Sequence, residues 1–206
     1  MHAARAEARY EDGARRLPTD PARRQRQLVR MAMAAGTVGL GRLMQGRDGA
    51  EWFRRSADAY RESFALAPPG SWGRVVGVVK SGILSGNARS DAAWALGQLP
   101  AEGSSTARYA EILARLALGE DVTPSVAWDP EFPADVAAAL DALGARDADA
   151  FREAAASVLE SFEARRAFLE NLPVADTLLV LELLAAQRGI AAGLRSPLLP
   201  PRPAGP

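Results

Sequence analysis

Apolar residues recur along this chain at the three- and four-residue spacing of amphipathic helices. Residues that repeat at this spacing lie on one face of an α-helix. Long alternating runs of Val, Ile and Thr, which would predict strands, are missing. The pattern therefore predicts an all-α protein. It is clearest after Asp20, where the apolar stripe contains Leu28, Met31, Ala32, Ala35, Val38 and Leu43.

Proline, glycine and capping residues divide this pattern into about eight or nine helices. Asp20 can accept helical N–H groups and Pro21 fits a first turn, so a helix should begin there and reach about residue 45. Short turns favour antiparallel neighbours, so we expect an irregular antiparallel helical bundle or α-solenoid. The further helices are predicted at 49–66, 72–84, 90–99, 105–118, 133–143, 148–169 and 173–188.

Local signals also predict how some of these helices begin and cross. Asp48 and Glu51 have the spacing of a capping box, and Ser71 can cap the helix that follows it. Three glycines within residues 36–41 lower helix propensity. They indicate either a close helix–helix crossing or a kink at that point.

The domain organisation follows from the same breaks. Residues 1–20 form an N-terminal arm or helix, 21–194 form a single all-helical domain, and 195–206 form a proline-rich extended tail. The predicted pairs 49–66 with 72–84 and 90–99 with 105–118 resemble tetratricopeptide-like hairpins, although no fixed repeat period accompanies them. Residues 120–132 form the longest internal loop, which is typical of functional or mobile segments.

Composition argues against most catalytic chemistry. Hydrophobic residues make up 48% of the 206, which is enough for a core. The chain has no cysteine, and its one histidine, His2, lies beside the N-terminus. Cys-His and Ser-His-Asp catalysis, zinc sites and di-iron sites therefore lack their ligands. We expect a protein that is not an enzyme and has no metal and no cofactor.

Further absences from the sequence bear on localisation and argue against nucleotide binding. The start of the chain lacks the apolar stretch of a signal peptide, and the most apolar stretches are too short to span a membrane. A cytoplasmic bacterial protein without membrane contact is the expected interpretation. The glycines at 36–41 lack the Gly-x-Gly-x-x-Gly order, and no Gly-Lys-Ser/Thr motif is present, so nucleotide binding has no support.

Charge is balanced overall but distributed unevenly. Residues 1–47 carry ten Arg and four acids, whereas residues 120–188 carry fourteen acids and five bases. An acidic surface can speed association with a basic partner, although a solvated helix face is the simpler interpretation. A nucleic-acid partner is not expected, because no recognition motif accompanies the basic residues. Those residues are Arg15, Arg16, Arg23, Arg24, Arg26 and Arg30, for which a contact with the chain's own acidic half is an alternative.

The long loop supplies the candidate partner-binding residues. Trp, Tyr and Arg anchor many protein interfaces, and a tryptophan in a loop falls outside the helical stripes. A ring that plugs a groove between helices is the structural alternative, and Asp129 with Glu131 is a candidate for paired-acid hydrolysis. The candidate residues are Trp128, Asp129, Glu131, Phe132 and Asp135.

Lys80 is the only lysine, and it lies within an apolar helix at 75–84. A buried lysine with a lowered pKa can act as a nucleophile. We favour the alternative, in which its ammonium group extends to solvent at the edge of the helix.

Three passages together resemble a known family. They are Gly70-Ser71-Trp72 before an apolar helix and a later Leu99-Pro100, the helices at 151–167 and 175–188, and Arg188-Gly189 followed by Ser196-Pro197-Leu198-Leu199-Pro200. Their order resembles the bacterial immunity protein family number forty-nine of polymorphic toxin systems, over roughly residues 48–200. The resemblance implies an all-helical cytosolic protein that neutralises a cognate toxin, and it implies no catalytic residues.

Three functions are therefore open at this point. The first is a non-catalytic protein-binding module, such as an immunity protein whose acidic region meets a basic partner. The second is a tetratricopeptide-like scaffold or adaptor that uses the hairpins at 49–118. The third is a carboxylate-dependent enzyme or small-molecule binder, which requires a deep pocket with converging polar groups. A homo-oligomer is compatible with each of them.

Overall fold

The computed structural model describes residues 2–100, 103–122 and 128–201, and all regular structure in these ranges is helical. The predicted all-α class is therefore confirmed. Residues 123–127 of the long loop and 202–206 of the tail lie outside the described residues. The helices are α1 (His2–Arg15), α2 (Pro21–Leu43), α3 (Ala50–Ala65), α4 (Trp72–Ser85), α5 (Ala88–Leu96), α6 (Ser105–Leu118), α7 (Ala134–Ala145), α8 (Ala148–Glu163) and α9 (Asp176–Gln187), with a 3₁₀ turn at Leu169–Asn171.

Helix starts follow the sequence signals in part. Asp20 caps α2 as predicted, and its carboxylate accepts the Arg23 N–H at 2.8 Å. The capping box at Asp48 is wrong by one residue, since Gly49 occupies the N-cap of α3 and Asp48 accepts the Ala50 N–H. Ser71 does precede α4, but its hydroxyl donates to the carbonyl of Pro68 and leaves the helical N–H groups uncapped.

The glycines of α2 allow a close crossing with α3. A Cβ atom on Gly39 would lie 2.8 Å from the ring of Phe53, and one on Gly49 would lie 2.6 Å from the Gly39 carbonyl oxygen. Only hydrogen fits between the two backbones at this point. Beside the crossing, the Ser56 hydroxyl donates to the Ala32 carbonyl at 2.9 Å. Of the two predicted alternatives, the close crossing is the one observed, and α2 continues through it as one helix.

Polar side chains join α2, α3 and α4. Arg74 of α4 donates to the Ser63 carbonyl of α3 at 2.6 Å and also to the side chain of Gln25 on α2. The Ser63 hydroxyl donates in turn to the Gln25 carbonyl at 2.8 Å. Each of these groups is at least partly buried, so losing one partner would leave another without a hydrogen bond. The three helices are therefore held in one fixed arrangement.

The main hydrophobic core lies among α4 to α9. Its fully buried members come from every one of these helices, and two tail residues pack against it, Leu198 and Leu199. The Leu198 carbonyl accepts the Ala175 N–H at 2.9 Å. This part of the tail is therefore docked on the body. Large core side chains include Val75, Leu113, Leu140, Phe151, Leu181 and Leu184.

The predicted helix 148–169 is wrong at its C-terminal end, residues 164–169, because α8 ends at Glu163. Residues 164–175, called here the crossing segment, leave the helix axis and contact α2. Glu170 and Asn171 take a left-handed backbone with φ of 56°. Phe168 packs on the core from this segment. The last helix begins at Asp176, three residues after the predicted start, since residues 174 and 175 are buried in non-helical backbone. Tertiary contacts therefore overrode the helical pattern.

The crossing of α2 with α3 leads to a stability prediction. Gly39→Ala should destabilise the protein by about 1–3 kcal/mol, because the added methyl group collides with the buried Phe53 ring. Urea unfolding monitored by circular dichroism measures the change.

Gly36→Ala in the same helix is the matched control. Its Cβ would lie 3.6 Å from the Ser56 hydroxyl, which is an ordinary contact, so this variant should be stabilised by about 0.5–1 kcal/mol. Equal effects at the two positions would contradict the proposed collision.

Candidate functional site

A cavity of about 260 Å³ lies where α2, α3 and α4 meet the crossing segment and the start of α9. The crossing segment forms its outer wall through Arg165, Phe168 and Leu172. The opposite walls come from α2, α3 and α4, so residues far apart in sequence line one space. Most of this lining is apolar and includes Leu40, Phe53, Val76 and Leu84.

The polar side of the cavity is an ion pair between two helices. Lys80, in the middle of α4, donates to the carboxylate of Asp176 and to the Thr177 hydroxyl at 3.2 Å. The Lys80 side chain is 18% exposed and that of Asp176 is 34% exposed. The expectation that Lys80 extends to solvent is therefore wrong. The crossing segment places α9 so that Asp176, its first residue, meets the ammonium group.

The surroundings of Lys80 keep it charged. Burial alone lowers the pKa of Lys80, but the Asp176 carboxylate, together with Tyr109 and Tyr60, outweighs burial and raises the net pKa above its ordinary value of 10.5. A protonated amine cannot attack an electrophile. The alternative of a nucleophilic lysine with a lowered pKa is therefore not supported by this geometry.

Tyr60 contributes a phenol to the same cavity. Burial raises the pKa of Tyr60, and to smaller extents Lys80 lowers it and Asp176 raises it. The phenol is therefore neutral and able to donate a hydrogen bond. Its ring fits because position 77 is glycine: a Cβ there would lie 2.5 Å from the ring. The cavity therefore combines a cation, a carboxylate and a phenol with apolar walls.

A second cavity of about 340 Å³ lies on the other side of Phe162. Arg165, Phe162 and Thr177 adjoin this space, and the first cavity shares the first two of them. Tyr109 also lines it, and burial raises the pKa of its hydroxyl. Arg165 and Phe162 therefore separate two neighbouring spaces.

The aromatic residues predicted in the long loop do come together. The rings of Trp128 and Phe132 stack with centroids 4.1 Å apart and planes 14° apart, and Tyr109 of α6 contacts Phe132 at 5.6 Å. Both loop rings are half-buried against the main core. A hydrogen bond from Trp128 also reaches Asp141, whose pKa burial raises. The rings therefore fill a groove between helices, which is the structural alternative stated for them.

The three predicted acids are placed differently from one another. Asp129 and Glu131 are exposed, and the Asp129 carboxylate accepts the Glu131 N–H at 3.0 Å. The Asp129 N–H donates to the Ser105 hydroxyl at 3.3 Å, which fixes the loop on α6. Asp135 lines the second cavity and accepts the Val136 N–H. Asp129 and Glu131 line neither of the two cavities.

Of the basic residues named from the sequence, Arg15, Arg16 and Arg24 pair with acids of α1 and α3. Arg24 pairs with Glu62 of α3 at 2.8 Å, and Arg16 pairs with Asp12 of its own helix at 3.2 Å. The contact with the acidic half is made by a different arginine, Arg9, which pairs with Glu170 of the crossing segment. This ion pair ties the outer wall of the first cavity to α1.

Neither a metal-ligand cluster nor a membrane-spanning helix is found in the described ranges. They contain no group of three or more His, Asp or Glu side chains that could hold a metal ion. In the same ranges, no helix combines the length and the apolar character that crossing a bilayer requires.

The fold and the cavity define an all-α helical protein with a mostly apolar pocket beside a partly buried ion pair. Comparison of the chain with protein-family models, with curated proteins and with solved structures found no match. The resemblance to the immunity family therefore stays a prediction.

Sequence reasoning missed most of the cavity. Arg165 and Asp176 carry no local signal, because only the crossing segment brings them near Lys80, and Tyr60 reaches the cavity through the packing of α3 on α4. Lys80 was the available clue, since a charged residue on an apolar helix requires a partner when that helix is buried. Its partner, 96 positions further on, could not be identified from one sequence.

The ion pair leads to a second prediction. Lys80→Met, Asp176→Asn and the double variant should give a favourable coupling energy of about 0.5–3 kcal/mol at neutral pH, because each single change leaves the other group without its partner. Chemical denaturation of the four proteins measures it. The cycle also cancels the separate effect of Asp176 on the start of α9.

The pH dependence of this coupling has a defined sign. Because the folded-state pKa of Lys80 is raised, the stabilisation is complete below 10.5 and is lost as the pH rises through the folded value. The coupling energy should therefore be the same at pH 7 and at pH 9. A coupling that disappears between these two values would contradict the assignment.

Proposed function

We propose that this protein is a non-catalytic binding module whose internal cavity holds a small amphipathic molecule. The observation that carries the proposal is the single space in which apolar walls meet Lys80, Asp176 and Tyr60. Mostly apolar pockets with a few convergent polar groups are the usual form of small-molecule sites. This is the binding half of the third function considered from the sequence.

The dimensions and chemistry of the cavity support this proposal. Its volume of about 260 Å³ is near the lower end of the roughly 300–1,000 Å³ typical of ligand sites. An apolar ligand body would gain from leaving water, at roughly 25 cal/mol for each Å² buried. The polar and charged groups are few beside the apolar lining, so an amphipathic ligand matches the arrangement.

Binding is favoured over catalysis by the state of the polar groups. Lys80 is held as a cation by Asp176, and this pairing also occupies the carboxylate. A general base must be able to accept a proton from the substrate near neutral pH. Lys80, whose raised pKa keeps it protonated, does not meet this requirement. Its ammonium group is therefore suited to orienting a ligand.

A fluorescent probe tests the proposal directly. N-phenylnaphthylamine, which is neutral and brightens in apolar surroundings, should bind the wild-type protein with one-to-one stoichiometry. Gly73→Trp should abolish this signal, because Gly73 lines the cavity and a Cβ at this position meets no atom within 4 Å. Fluorescence titration measures both results.

The control variant adds an aromatic ring outside the cavity. Ala93→Phe changes an exposed residue of α5 that does not line the cavity, so it should bind the probe as the wild type does. Circular dichroism should show both variants folded. No probe binding by the wild type, or unchanged binding by Gly73→Trp, would refute the cavity as a ligand site.

A protein partner is the second candidate function, as a toxin-neutralising module or as an adaptor. It is favoured by one observation: Asp129 and Glu131 are exposed beside the half-buried stack of Trp128 and Phe132. Exposed acids around an aromatic centre suit a basic partner, since opposite charges speed association. We call this set, with Asp135, the acidic loop surface.

Charge reversal tests the acidic loop surface. Once a partner is obtained by affinity purification from the native cell extract, Asp129→Lys with Glu131→Lys should weaken its binding at least tenfold, or about 1.4 kcal/mol. Surface plasmon resonance measures the affinity and its salt dependence. Asp58→Lys, an exposed position on α3, is the control and should bind normally. Equal affinities for all three proteins would exclude this surface.

A further inference from the structure

The lining of the first cavity carries an excess of positive charge. Its charged groups are Lys80, Arg165 and Asp176. Since Lys80 is paired with Asp176, the charge that remains is that of Arg165. The surrounding walls are mostly apolar, so the lining offers a ligand one uncompensated cation beside apolar surface.

Arg165 is held in position without an acidic partner. Its guanidinium lies over the ring of Phe162, 3.7 Å from the centroid, and Phe162 is itself 3% exposed. A cation over an aromatic face is attracted to it but keeps its N–H donors available. Among the described residues, Arg165 forms no ion pair with a carboxylate. The neighbouring Glu163 accepts a hydrogen bond from Ser196.

The position of Arg165 determines where in the cavity a negatively charged group of a ligand would bind. Arg165 is exposed and belongs to the crossing segment, so it lies at the outer wall, where the cavity meets solvent. The apolar residues of α2, α3 and α4 lie on the inner side. A ligand that satisfies both regions carries a negative charge at one end and an apolar body at the other.

We propose that the ligand is a small monocarboxylate with an apolar tail, bound with its carboxylate on Arg165 and its tail between the helices. The planar guanidinium fork matches the two oxygens of a carboxylate, and such a pair is a strong hydrogen-bonded contact. One uncompensated charge in the lining matches a singly charged ligand better than a dianion. This inference rests on the proposed function, since it assigns a ligand class to the same cavity.

Matched ligands test this proposal. Octanoate and octanol have the same tail and differ in charge, and each can be titrated against bound N-phenylnaphthylamine. Octanoate should displace the probe from the wild-type protein at a concentration roughly tenfold lower than octanol, as a charge-assisted hydrogen bond implies. Arg165→Met should remove this preference, so that octanoate and octanol displace the probe at similar concentrations.

Arg166→Met provides the control for total charge. Arg166 is the adjacent exposed arginine and does not line the cavity, so its loss should leave the preference for octanoate intact. Equal displacement by octanoate and octanol from the wild type would overturn the carboxylate assignment while the cavity stays a ligand site. An equal loss of preference in Arg165→Met and Arg166→Met would overturn the role of Arg165. Failure of the probe itself to bind would overturn the proposed function as well.

Discussion

The ion pair between Lys80 and Asp176 fixes the arrangement on which the cavity depends. A lysine on the apolar helix α4 cannot be buried without a compensating charge, because removing an ammonium group from water costs several kcal/mol. Asp176 supplies that charge only when α9 begins beside α4. The crossing segment, which leaves α8 after Glu163 and contacts α2, brings the start of α9 to this position. The ion pair thus joins α4 to the helix that follows the outer wall of the cavity.

Small residues determine how closely the other walls approach. Gly39 and Gly49 bring α2 against α3, and Gly77 admits the ring of Tyr60 between α3 and α4. The cavity lies beside these contacts, between α2, α3, α4 and Phe168 of the crossing segment. Serine and arginine hydrogen bonds join α2, α3 and α4 on its inner side.

The acidic loop surface and the first cavity differ in the contacts that their side chains already make. In the acidic loop surface, Trp128 and Phe132 pack their rings against each other, and Phe132 also packs against Tyr109. Their carboxylate neighbours are exposed and well hydrated, so pairing them with a partner gains little energy individually. In the cavity, Arg165 lies beside apolar walls and has no acidic partner among the described residues. The cavity therefore offers a small ligand apolar surface together with a cation that no described carboxylate pairs.

The sequence by itself determined the all-α class, most helix bounds and the docking-competent apolar residues of the tail, because helical periodicity and Pro, Gly and Asp signals act within a few residues of the chain. It also excluded the common histidine and cysteine chemistries through the residues it lacks. Only the tertiary structure decided the end of α8, the burial of Lys80 and the meeting of Arg165 with α2 and α4. These depend on contacts across more than ninety residues, whose energies no local pattern of one sequence contains.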